Sequence, residues 1–216
     1  MSSCIGALPL AYQPGTRWAY HTGSDLLSVL LARVAGTSLE QLLTERLTGP
    51  LGLHGTGFSA EAATLPTPYM PGPDGLVVFD HYADAFGSPP PFETFGGGLV
   101  STVPDYLTFL SVLADDTFLT SELQAQMTTD QLTAEQRVGI TEMMGPAASW
   151  GWQVSVDTAV TDPWTAPGRY GWTGGSGTSA FVDPSGDLIG VVFSQRLMAG
   201  PTESFVYFWE PLVAAL

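Results

Sequence analysis

Near residue 148 the spacing of apolar residues changes from a helical to a strand-like period, and that switch limits the fold more than any other feature. Downstream, "SWGWQVSV", "GRYGWTGG" running into "TSAFVDP", and "DLIGVVFSQ" alternate as half-buried strands do, and "PSGD" supplies a turn between the last two. Three antiparallel strands are expected near 149–156, 169–182 and 188–195, closed by a helix over about 203–214 in "TESFVYFWEPLVAAL". Helices first, then a meander, then a closing helix is an α+β order with segregated elements. The expected division is a helical region over about 18–148 and a sheet with its closing helix over about 149–216.

Upstream, "GSDLLSVLLARVAG" places Leu26, Leu27, Leu30, Leu31 and Val34 on one helical stripe, with Ser24 or Asp25 as cap and Gly36 as stop. "TSLEQLLTERLTGPLGL" repeats the pattern from Ser38 and is expected to end at Gly49-Pro50. A third helix should begin at about Pro104, and "SELQAQMTTD" forms a fourth. Between them, residues 59–95 carry seven prolines and one strand-like run, "LVVF". So long an excursion is expected to act as a lid or cleft wall.

Composition removes several function classes. The formal net charge is -15, and all six basic residues are arginines, so no basic stripe exists to meet phosphates and no nucleic acid partner is expected. No apolar run reaches the roughly 20 residues of a membrane span. The single cysteine, Cys4, cannot form an intrachain disulfide, which favours a reducing, cytoplasmic setting. His21, His54 and His81 lack ligand-like spacing, so neither a metal nor a cofactor is implied.

The stretch "GWTGGSGTSAFVDP", Gly171 to Pro184, carries the chemistry. Gly175-Ser176-Gly177-Thr178-Ser179-Ala180 fits a dinucleotide fingerprint in letters, but a strand follows where that mechanism needs a helix. A nucleophile elbow fails too, because Thr178 stands in place of the last glycine and no histidine lies downstream of Ser176. What remains is an extended strand whose glycines let a ligand approach the backbone.

Several segments in this order resemble the serine β-lactamase and D,D-peptidase superfamily, in its class C-like and esterase branch. "PLAYQPGTRWAYHTGSDLLSVLLARVAGTSLEQLLTERLTGPLGLHGTGF" is similar to the segment around that family's Y-x-N motif, and "GGGLVSTVPDYLTFLSVL" to its "GGGL-x-S-T" segment. Trp172-Thr173-Gly174 takes the place of the K-T-G box. The resemblance implies a β-lactamase/transpeptidase-like fold and a small ester or acyl substrate. It implies Tyr20 as catalytic base, the Gly175 N–H as an oxyanion donor, and Trp172, Thr173 and Gly174 as substrate-binding residues.

The same resemblance exposes what is missing. The family's Ser-x-x-Lys motif precedes Y-x-N, and this sequence contains no lysine. The expectation is therefore the C-terminal part of a family domain, lacking two strands of a five-stranded sheet and left with an unpaired edge. The nucleophile would come from an N-terminal segment or partner chain, and a homo-oligomer is an alternative partner arrangement. Thr22 replaces the motif's Asn and Trp172 replaces the Lys of K-T-G, which points to a neutral acyl ester, with Trp172 as an apolar wall. A non-catalytic binding or assembly protein is the competing reading.

Overall fold

The structure, a computed structural model, describes residues 6–79, 82–115 and 118–216; Cys4 and His81 lie outside them. The first helix, α1, spans Thr22–Ala35 and stops at Gly36, whose φ of 70° is left-handed. It starts ahead of both expected caps, Ser24 and Asp25, and has no side-chain cap; the Ser24 hydroxyl instead donates to the Gln153 side-chain oxygen at 2.7 Å.

Helix α2 covers Leu39–Leu51, with the Ser38 hydroxyl accepting from the Gln41 N–H as its cap. The expected stop at Gly49-Pro50 is not the end. A π-helical turn over Thr44–Thr48 shifts the register so that the Gly49 N–H reaches the Thr44 carbonyl, and Gly52 with φ 67° closes the helix. The proline thus rides within the last turn, where the wider register absorbs its missing N–H.

In the proline-rich excursion "LVVF" finds a partner that the sequence did not reveal. Strands β1 (Tyr69–Gly72) and β2 (Gly75–Val78) form a hairpin, followed by a short helix α3 over Tyr82–Phe86. Tyr69 anchors this hairpin to the main sheet: its N–H donates to the Gln195 carbonyl and its carbonyl accepts from the Leu197 N–H, both at 2.7 Å. Helix α4 spans Val103–Ala114, capped by Thr102 with Pro104 in the first turn, and α5 spans Ser121–Thr128, capped by Thr120. Helix α6, Val138–Met144, was not expected; it has no side-chain cap and its β-branched residues conceal the period.

The main sheet has five antiparallel strands in sequential order: β3 (Ala148–Trp150), β4 (Ser155–Asp157), β5 (Tyr170–Gly174), β6 (Thr178–Asp183) and β7 (Leu188–Phe193). Two of the three expected strands are in fact hairpins. Residues 149–156 reverse at Gln153, which has φ 67°, so β3 pairs with β4. Residues 169–182 reverse at Gly175-Ser176-Gly177, where the Gly177 N–H donates to the Gly174 carbonyl at 3.0 Å. Gly177 has φ 87°, and a Cβ there would lie 2.1 Å from the Arg196 carbonyl oxygen, so only glycine closes this turn. Five strands thus stand where three were expected, and β7 is the edge strand beyond β6 among the described residues.

Alternation along the strands splits the core in two. Tyr170, Ala180 and Val182 pack on Leu110 and Leu113 of α4, while Phe181 packs with Phe205 and Trp209 of the closing helix α7, Phe205–Ala215. Gly190 of β7 makes room for Trp209: a Cβ there would meet its ring at 2.4 Å. On this second face Arg169 forms an ion pair with Asp157 at 2.9 Å, both side chains being almost fully buried, and its guanidinium lies 3.7 Å from the centre of the Phe181 ring. No single helix among the described residues is long and apolar enough to cross a membrane.

Candidate active site

Tyr20 sits just before α1 in a backbone turn of unusual shape. The Thr22 N–H donates to the Tyr20 carbonyl at 3.2 Å across His21, whose φ of 79° and ψ of -68° are those of a γ-turn that side-chain-bearing residues rarely adopt. Such conformations cost on the order of 1–3 kcal/mol and cluster at functional sites. Here the turn separates Tyr20 from the helix and directs it at the sheet. His21 itself lies 3.9 Å from the Asp25 carboxylate, out in solvent.

The Trp172 indole N–H donates to the Tyr20 hydroxyl oxygen at 2.8 Å, joining residues 152 positions apart. Indole nitrogen only donates, so the Tyr20 oxygen is the acceptor and its own proton is left for another group. The rings reinforce this contact: Tyr20 and Trp172 centroids are 5.0 Å apart, Trp150 and Trp172 4.9 Å, and Trp18 and Trp150 5.2 Å. Trp18 and Trp150 thus support the Tyr20 ring, a role that nothing in their spacing reveals.

Beyond Gly171, β5 has no strand partner on its β4 side, because that pairing ends at Ser155 with Gly171 and Val156 with Tyr170. The backbone of Trp172–Gly174 is therefore free of strand pairing along that edge. Gly175 follows as the first residue of the turn, and a Cβ built there would meet nothing within 4 Å. Gly175 is thus in open space at the strand's end, not inside one continuous strand as the sequence suggested.

Two assigned roles change. Trp172 is not merely an apolar wall, since its polar edge holds Tyr20. Thr173 points to the opposite face: it is buried, and its hydroxyl lies 3.3 Å from the Ser204 hydroxyl beneath α7. Its side chain contributes nothing on the Tyr20 side, as strand alternation demands. Gly174 pairs with Thr178 at the hairpin's mouth.

The excursion adds a further contact at the glycine turn, again absent from the sequence reading. Tyr82 of α3 hydrogen-bonds to Ser176 in the glycine turn; burial pushes its hydroxyl up from the ordinary tyrosine range, and the Ser176 bond opposes that rise. The glycine-rich segment after the excursion is tied to α1, with the Thr94 hydroxyl donating to Asp25 at 2.5 Å. No group of three or more potential metal ligands occurs among the described residues.

Strained tyrosine turn, glycine hairpin at the strand end and helices on both sheet faces define a β-lactamase/transpeptidase-like fold. The sequence matches the β-lactamase family over residues 2–204, and the chain belongs to that family. It is similar to protein Rv1367c of Mycobacterium tuberculosis, at 35% identity over 87% of this chain and 51% of that protein. It is also similar to esterase EstB of Burkholderia gladioli, at 27% identity over 83% of this chain and 50% of that enzyme. A LovD6 mutant of simvastatin synthase from Aspergillus terreus superposes with a TM-score of 0.81 at 22% identity, covering 97% of this chain and 57% of that one, which establishes the fold. The chain spans about half the length of the curated relatives it matches.

Proposed function

We propose that this chain supplies the tyrosine and oxyanion side of a serine acyl-hydrolase site acting on a neutral acyl ester. Family membership and an esterase among the relatives support a serine hydrolase-like function; the observation that carries the finer reading is the Trp172–Tyr20 hydrogen bond, by which residues of the two motifs touch. In this reading Tyr20 moves the proton between nucleophile and leaving group, and the Gly175 N–H shares the developing oxyanion with the nucleophile's own N–H. Trp172 donates to Tyr20 without bringing a charge, so a substrate carboxylate finds no cation at that position. The nucleophilic serine and its lysine come from outside these 216 residues, in a preceding segment or a partner chain.

A fluorophosphonate probe and a p-nitrophenyl ester test this. The chain alone should show no labelled serine and no turnover above background. When joined to a Ser-x-x-Lys segment it should turn over, and Tyr20→Phe should lower kcat by about 10²–10⁴. A labelled serine in the chain alone, or turnover that survives Tyr20→Phe, refutes the assignment. A binding or assembly protein without catalysis is the second reading, favoured by the absence of lysine.

A further inference from the structure

A concavity whose lining includes neither Tyr20 nor Trp172 lies between α2 and the start of α4. It encloses about 390 Å³, within the range of small-molecule sites, and its walls are mostly apolar: Leu42, Leu43, Leu47 and Leu53 face Phe95 and Phe109. At its edge stands Arg46. Leu42 and Arg46, like Leu43 and Leu47, are four residues apart on α2, and Arg46 and Leu47 belong to the π-helical turn. Turns of this kind often mark functional sites.

Arg46 is the basic residue of this lining. The chain holds 21 acidic residues against six arginines, and Arg137, Arg169 and Arg196 each pair with a carboxylate. Arg46 is exposed and makes neither a hydrogen bond nor an ion pair among the described residues. One acid, Asp105, also lines the groove, and its Oδ2 is turned to the chain itself, accepting the Gly55 N–H at 2.8 Å and the Thr56 hydroxyl at 2.9 Å. An uncommitted guanidinium at the mouth of an apolar groove suits an amphiphile with an anionic, bidentate head.

We infer that this groove binds a medium-chain fatty carboxylate, with the alkyl tail between the leucines and phenylalanines and the carboxylate on Arg46. The inference is independent of the role of Tyr20. Calorimetric titration of the chain with octanoate, decanoate and dodecanoate, each below its micellar concentration, tests it. Each methylene buried should tighten binding by up to about fourfold until the groove is full, after which affinity levels off. Decanoate should bind more tightly than decanol. Arg46→Gln, a change at an exposed side chain, should abolish that preference while keeping the dependence on length. Leu99→Glu, at another exposed lining position, should expel the carboxylate by repulsion. Affinity independent of chain length, decyltrimethylammonium binding as well as decanoate, or an Arg46→Gln protein that still prefers the carboxylate would each overturn the inference.

Discussion

The buried pair of Asp157 and Arg169 allows a prediction worked from the structure. Both side chains are nearly inaccessible, and in each the loss of solvation outweighs the partner's attraction: burial raises Asp157 from its ordinary 3.8, and burial lowers Arg169. Removing one partner strands the other charge, so Arg169→Met should cost about 3–5 kcal/mol, a fall in Tm of about 6–20 °C for a chain of this size. The double variant Asp157→Leu with Arg169→Met strands no charge. Its main loss is the Ala166 N–H, which hydrogen-bonds to Asp157 and would be orphaned at about 1–3 kcal/mol. The double variant should therefore be more stable than Arg169→Met alone.

The pH dependence has a definite sign. A carboxyl whose folded pKa is raised holds its proton more tightly in the native state, so stability falls as pH rises from 3.8 through the raised value. Without Arg169 the rise is larger, and the penalty of Arg169→Met should shrink as pH is lowered. Urea unfolding followed by tryptophan fluorescence at pH 7 and pH 5 measures both effects. A double variant whose loss equals the sum of the single losses would refute the argument, because additivity means that the two side chains act independently and neither charge is stranded by loss of the other.

Three further outcomes are expected. Gly190→Ala drives a methyl group into the Trp209 ring and should destabilise by about 1–3 kcal/mol in urea unfolding, unless α7 can shift. Trp172→Phe keeps the ring contacts but removes the donor to Tyr20; because Tyr20 is half open to water, the loss should stay below about 1 kcal/mol, and a loss above about 2 would mean that Trp172 acts mainly by packing. Glu203 is held below its ordinary 4.5 by the Arg196 hydrogen bond, so its contribution is present above 4.5 and is lost as pH falls through the lowered value; the difference between wild type and Glu203→Gln should vanish in acid titrations below that window.

What the sequence disclosed follows from which signals are local. Alternation located the meander, and the caps Ser38 and Thr102 lie where side chains can satisfy helix N–H groups. The hairpins at Gln153 and Gly175–Gly177 were merged into single strands because a glycine run signals both close approach and reversal, and only the Arg196 carbonyl beside Gly177 decides between them. Pro50 misled for the opposite reason: a strong local stop was overridden by the register change over Thr44–Thr48 just upstream. At the site, Trp172 and Thr173 could have been separated from sequence alone, since adjacent strand residues cannot share a face. The tryptophan cluster around Tyr20 depends on long-range packing that no spacing encodes.

The strained turn at His21 and the indole bond to Tyr20 are parts of one arrangement. A residue continuing the geometry of α1 would carry Tyr20 along the helix; the γ-turn breaks that course and spends local strain to place the ring against Trp172. The placement is then held by a donor that cannot accept and carries no charge, supported by Trp150 and, behind it, Trp18. A lysine at position 172 would donate equally well to Tyr20, but its ammonium would also attract anions and would need solvation among three aromatic rings. The indole meets the same geometric demand with apolar surface. The absence of a cation at position 172 is the physical basis on which the proposed function takes an uncharged ester rather than a carboxylate-bearing substrate at this strand.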